Sequence, residues 1–468
     1  MKMRFSKNIQ IKIFSLLWIA AIATSGCQKF LDVTPKGKFI PKYIKDYEEL
    51  ASNPSYSSNG NAVLERLSDN IYLSDARIST SLTQNTTKAY QWAPELYVET
   101  ETDGAWDPMY NNIYNANIII QDVEKLTDGT ELQRTQVLGD AFFNRAYAYW
   151  CLINTYGKDY DANTAATDLG VPLITIPDLE AKPSRATVAE VYQLILQDLL
   201  KAKDQLPAAA KNIYRNDKTA ALALLARVYQ SMDNYPEAKK YAAEALQLKN
   251  VLFDYNMLSF KDPLKPSAAG VNNRPVDYLH PEMISYKATS FGSVLTGLCV
   301  SPDFLSVLGT KDLRYVFNFS TLESNGKPTI ELYPIYLKFD LSYNIGVPEM
   351  MLILAEAEAR AGQISPALLQ LNNLRKKRFK PGDYADLTAA TAEDALKLVI
   401  DERRRELFGK GLRWFDMRRL DSDPRFRKTY NRANTAATYK LEAGSPVFVQ
   451  QIPPKVRLLN PGILLNPR

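Results

Sequence analysis

The sequence predicts an all-α chain: about four pairs of helices stacked as hairpins, interrupted by a large, irregular, aromatic-rich insertion. Three observations predict it. Apolar residues recur near a spacing of 3.6, as in Val137, Leu138, Ala141, Phe142, Tyr149 and Leu152, which gathers them on one helix face. A helix–turn–helix pattern occurs twice, 129 residues apart. Residues 250–348 lose the periodicity and mix Pro, Gly and Asn with aromatics.

Residues 1–12 are basic, 13–23 are the apolar run IFSLLWIAAIA, and Thr24-Ser25-Gly26-Cys27 follows. This is the pattern of an export signal, and the run is too short for a bilayer, which needs ~20 apolar residues. The cut site resembles a bacterial lipobox, with Thr24 where Leu is usual. That makes residues 1–26 the signal peptide, Cys27 the lipidated (palmitate-bearing) first mature residue, and 27–40 a tether. One domain is expected over 41–468, with long insertions at 52–105 and 250–348.

Within that domain a helix is expected over 42–51, then Asn/Ser/Thr-rich loops over 52–105. Helices follow near 106–126 and over 131–156, the latter ended by Gly157. Thr187 with Glu190 three residues on is a capping box opening a helix over 187–206. Helices 217–232 and 236–249 are joined by Asp233-Asn234-Tyr235, with Pro236 at the first helical position, where its missing N–H costs nothing. In the second copy Leu354-Ala355 answers Leu225-Ala226, and Ile364-Ser365-Pro366-Ala367 answers Tyr235-Pro236-Glu237-Ala238. Small alanines near the turn let two helices approach closely. The unit resembles the tetratricopeptide hairpin. After 349 the chain is helical to about 420 and closes in an extended tail, Val447 to Pro454.

Composition narrows the function. The chain has 57 Lys+Arg and 52 Asp+Glu, but Lys2, Arg4, Lys7 and Lys12 lie in the signal, which carries no acid. So balanced a mature chain has no electrostatic footprint for nucleic acid. One His and three Cys disfavour zinc sites, and no cofactor or metal is implied. Cys151 and Cys299 lie in apolar stretches and read as buried free thiols.

Several blocks, in order, resemble the SusD/RagB family of outer-membrane lipoproteins. They are the lipobox with Phe30-Leu31-Asp32 and Pro35, Trp106 to Ile113 with Ala116-Asn117, and Arg145 to Trp150 ending in Tyr156-Gly157. Gly170-Val171-Pro172-Leu173-Ile174, the hairpin Ala220–Leu246, the block Ile400 to Leu407 with Gly411 to Arg419, and Ile452-Pro453-Pro454 before Asn460-Pro461 complete the set. In the sixth block Glu402 and Glu406 share a helix face. Arg403, Arg413 and Arg418 can reach carboxylates bidentately, Gly409 and Gly411 free the backbone, and Trp414 offers a flat face to a guanidinium. A catalytic acid pair is conceivable there. A structural ion network is favoured, because each acid has an arginine neighbour.

The resemblance implies a non-enzymatic, surface-facing lipoprotein of the cell outer membrane. It would bind an oligosaccharide and pass it to a SusC-like TonB-dependent barrel. A RagB-like peptide-binding lid, and a repeat scaffold without a ligand, are the alternatives. Sugar rings stack on aromatics with polar tips, and 27 Tyr, 5 Trp and 18 Phe agree with that chemistry. The ligand candidates are Trp92, Tyr72, Asp69, Asn70 and Arg77 in the first insertion, and Tyr286 and Phe291 in the second. Trp92 leads, because polar residues surround it outside any helical period.

Overall fold

The computed structural model describes residues 41–468, apart from 58–61, 76–83, 179, 181, 288–298, 323–324, 335–343 and 434–436. Tyr43–Arg468 forms one compact unit, and the description concerns that unit. Cys27, Arg77 and Phe291 lie outside the described residues.

Helices Trp106–Asp122, Glu131–Tyr156, Val188–Gln205, Lys218–Ser231 and Tyr235–Leu248 pack in succession. The 235–248 helix then meets Val347–Arg360, which packs on Ile364–Arg375 and Ala392–Glu406. The second hairpin thus stacks on the first although residues 249–346 intervene. The all-α, tetratricopeptide-like expectation holds. The 131–156 helix is the spine, with every side chain from Val137 to Tyr156 buried, as befits a helix wrapped on all sides. At the hairpin seam Ala220, Ala221, Ala223, Ala226, Ala238 and Ala242 are fully buried. Their small side chains let the helices close on each other.

The caps form as the sequence indicates. Thr187 Oγ1 accepts from the Glu190 N–H at 3.2 Å, and Glu190 answers by accepting from the Thr187 N–H at 2.7 Å. Asn234 caps the next helix, which begins one residue early at Tyr235, so Pro236 is its second residue.

Three stretches differ from expectation. Residues 52–105 hold short helices, Ala62–Leu67 and Gln84–Tyr90. The second is too polar to show a helical period, and packing decides it instead. The 250–348 insertion is expected as loops with short strands; its described residues carry the short strands and add short helices and packed apolar clusters. Phe253, Leu258, Val271, Leu313 and Phe317 form one apolar cluster, and Val300, Phe304, Leu308 and Phe319 another. Two-stranded ribbons frame it, among them Phe319–Leu322 with Pro328–Pro334. The tail is not wholly extended, because Pro454–Leu459 is a helix with Pro454 at its permissive first position.

Cys151 and Cys299 are buried, as expected. No helix among the described residues is long and apolar enough to cross a membrane.

Candidate functional site

The two insertions are held to the helical body by buried charge. Glu402 accepts from Arg314 Nη2 at 2.7 Å, Arg405 Nη1 at 3.0 Å and Arg375 Nη1 at 3.2 Å. Glu406 accepts from Arg314 at 2.6 Å and from Arg378 at 2.7 Å, and Arg378 reaches on to Glu282 at 2.8 Å. Asp312 completes the set by bonding Arg314 at 2.6 Å. Glu282, Asp312 and Arg314 belong to the second insertion, while Arg375, Arg378, Glu402 and Glu406 belong to the body. Four acids face four arginines, so the buried cluster is neutral.

The first insertion uses the same block. Arg413 grips Asp69 bidentately at 2.6 and 2.7 Å, and Arg404 donates to Asn70 Oδ1 at 2.8 Å. Glu65 accepts from the N–H groups of Gly409 and Gly411 at 3.3 and 3.1 Å. Both glycines have positive φ, 73° and 67°, a conformation that Gly adopts without strain. Strand Ile71–Tyr72 of the first insertion pairs with Cys299–Val300 of the second.

Burial alone would raise the Glu402 carboxyl. The guanidiniums of Arg314, Arg405 and Arg375 overcome it and hold the group down at about 2. The carboxylates of Glu402 and Glu406 are taken by arginines of the body and of the second insertion, so the pair acts as a structural clamp. Burial pushes Glu65 up to about 7, against the two glycine N–H groups. A carboxyl lowered by folding stabilises the fold above its unfolded range near 4.5 and loses that contribution as pH falls toward 2. The stability difference between wild type and Glu402→Gln is therefore expected to be full at pH 6 and to close between about pH 5 and pH 2. Denaturant unfolding across that range checks it, and a difference independent of pH would refute the clamp.

The structure places the predicted ligand residues as follows. Trp92 is 4% exposed, its indole N–H donates to Leu67 O at 2.8 Å, and its ring lies 4.1 Å from the Arg432 guanidinium. Arg432 also lies 4.6 Å from the Tyr90 ring and donates to the carbonyls of Tyr90 and Ser68. Trp92 is thus a core anchor here, with no open ring face. Polar sequence neighbours do not reveal such burial, because the covering residue lies 340 positions away. Asp69 and Asn70 are taken by Arg413 and Arg404. Tyr72 is half-buried in the strand pair, and Tyr286 packs edge-on against Tyr214 at 6.2 Å. Trp414 is fully buried and packs on Phe448 at 5.3 Å.

A concave surface is lined by other residues, and none of Trp92, Tyr72, Asp69, Asn70 and Tyr286 belongs to it. An open cleft of about 600 Å³ runs between the 88–99 segment and the C-terminal helix. Tyr97, Val98, Pro454 and Leu458 give it apolar surface, and Lys88, Glu95, Glu99 and Arg457 give it a charged rim. Arg457 holds Glu95 bidentately at 3.1 and 3.0 Å. Behind that pair lies a hollow of about 20 Å³ that shares Glu95, Tyr97, Pro454 and Arg457 and reaches Asp103 and Tyr156, room for about one water. Tyr97 lies five residues past Trp92 in the first insertion but is not among the ligand candidates of the sequence. The C-terminal helix that faces it carries no aromatic signal.

Residues 29–230 match the family model described as "Starch-binding associating with outer membrane", and residues 347–455 match that of the SusD family. Together they span most of the chain outside the second insertion. The chain belongs to the SusD/RagB family. SusD-like protein P38 of Formosa agariphila is 24% identical over 377 residues, covering 68% of this chain and 72% of the relative. SusD-like protein P2 of the same organism is 26% identical, covering 67% and 71%. Among solved structures, a SusD superfamily protein of Bacteroides thetaiotaomicron superposes with a TM-score of 0.74 at 22% identity. It covers 91% of this chain and 100% of its own. A SusD-like carbohydrate binding protein of Bacteroides vulgatus gives 0.67 at 18%, covering 90% and 98%. These structural likenesses establish the fold.

The SusD/RagB motifs in this chain serve the scaffold. Arg145 grips Asp198 at 2.8 Å through two N–H groups and donates to Asn117 Oδ1 at 2.8 Å. Asn117 Nδ2 and the Tyr149 hydroxyl each donate to Ile174 O at 2.9 Å. Arg418 caps the end of the spine helix through the carbonyls of Asn154 and Gly157.

Proposed function

We propose that this chain is a nutrient-capture lipoprotein of the cell surface, anchored in the outer membrane by lipid on Cys27. It binds an oligosaccharide and passes it to a SusC-like TonB-dependent barrel. It acts by binding and carries out no chemistry. The observation that carries the reading is the open cleft under Tyr97. An amphipathic ring and apolar neighbours lie beside carboxylates that accept and cations that donate, the mixed surface a sugar needs. Family membership supports the location, and the carbohydrate-binding relative supports the ligand class. The Arg457–Glu95 pair ties the two walls of this surface together, which lowers the entropy lost on binding. Arg77, Tyr72, Tyr286 and Phe291 remain proposed as further contacts from the insertions.

A glycan array and a peptide pool, screened against the full-length chain in detergent, test the reading. A saturable glycan hit is expected, in the micromolar to millimolar range, or about −4 to −8 kcal/mol. A hit among peptides alone would move the protein to a RagB-like role and overturn the glycan assignment.

A further inference from the structure

Resting on that capture reading, we propose that the cleft selects uncharged glycans over anionic ones. Its rim holds two cations, Lys88 and Arg457, and two carboxylates, Glu95 and Glu99. Arg457 and Glu95 neutralise each other in a bidentate pair. Lys88 and Glu99 balance as well. Just outside, Lys455 faces Asp107 at 4.0 Å. Asp103, in the hollow behind, is 4% exposed and accepts from the Ala105 and Trp106 N–H groups at 2.8 and 3.2 Å. It is thereby committed to opening the next helix.

A rim with no net charge sets up no field to concentrate uronates or sulfates. An anionic group entering beside Glu95 and Glu99 meets two carboxylates and, with Arg457 already paired, only Lys88 to answer it, which is costly. A neutral sugar meets neither penalty. Its hydroxyls donate to the carboxylates and accept from the ammonium and guanidinium groups. Its C–H face lies on Tyr97 and the surface formed by Val98, Pro454 and Leu458.

Titration of the full-length chain in detergent with matched neutral and uronate-bearing oligosaccharides tests this, in wild type and Glu99→Lys. Glu99 is exposed, so the substitution spares the fold and gives the rim two surplus positive charges. Wild type is expected to prefer the neutral sugar by about tenfold or more, with little change between low and physiological salt. Glu99→Lys is expected to narrow that preference by about threefold or more at low salt. Tighter, salt-sensitive binding of the uronate would overturn the selectivity and leave capture standing. A preference unmoved by Glu99→Lys would overturn the assignment of selectivity to this cleft. Binding of neither sugar class would overturn the capture reading itself.

Discussion

Glu402→Ala is expected to lower the stability of the folded chain by about 3–5 kcal/mol, the scale for removing one partner of a buried ion pair. Glu402 is fully buried and accepts from three arginines. Without it the cluster keeps four cations and three anions in a medium that solvates none of them. One of those cations, Arg314, comes from the second insertion. Loosening it frees the insertion from the body, so limited proteolysis within residues 250–346 should quicken along with the loss in denaturant midpoint. A midpoint equal to that of wild type would show that the network is incidental.

Trp92→Ala is expected to cost a similar amount, about 3–5 kcal/mol for emptying a large aromatic site. The indole fills the core between Leu67 and Arg432, and burial already depresses the Arg432 guanidinium to about 9. Trp92 also holds a positive φ of 53°, a strained backbone for a bulky residue that its surroundings must enforce. The readout separates two roles. Loss of thermal stability, with any loss of glycan binding following from it, is the expected result. Lost binding at unchanged stability would restore Trp92 as a ligand contact.

The helical body was readable because its signals are local. The capping box at Thr187, the Asn234 turn and the buried alanines each declare themselves within a few residues. The ion network was readable in outline, since the acids and arginines of residues 400–419 are neighbours in sequence. Its reach was not. Arg314, Glu282 and Asp69 come from distant insertions, and nothing near them in sequence marks their partners. The same non-locality hid the true position of Trp92, whose covering residue Arg432 lies in a C-terminal hairpin. It also hid the pairing of Ile71–Tyr72 with Cys299–Val300, because two-residue strands carry no period. Of the candidate cleft, none of the described ligand candidates singled out in the sequence forms the lining, and Tyr97 lies only five residues past one of them, Trp92. The opposite wall, Pro454 to Leu458, lies at and just past the end of the stretch expected to be extended, and no aromatic marks it.

The most direct test of the account is titration of a neutral oligosaccharide hit into wild type and Leu458→Asp. Leu458 is 65% exposed at the cleft wall, so the change leaves the fold intact and places a charge where the sugar face would lie. The account predicts saturable binding to wild type and a loss of about tenfold or more in Leu458→Asp, since an unpaired buried charge costs at least 1.4 kcal/mol. Equal affinity in the two proteins would contradict it, because the sugar would then bind elsewhere on the chain.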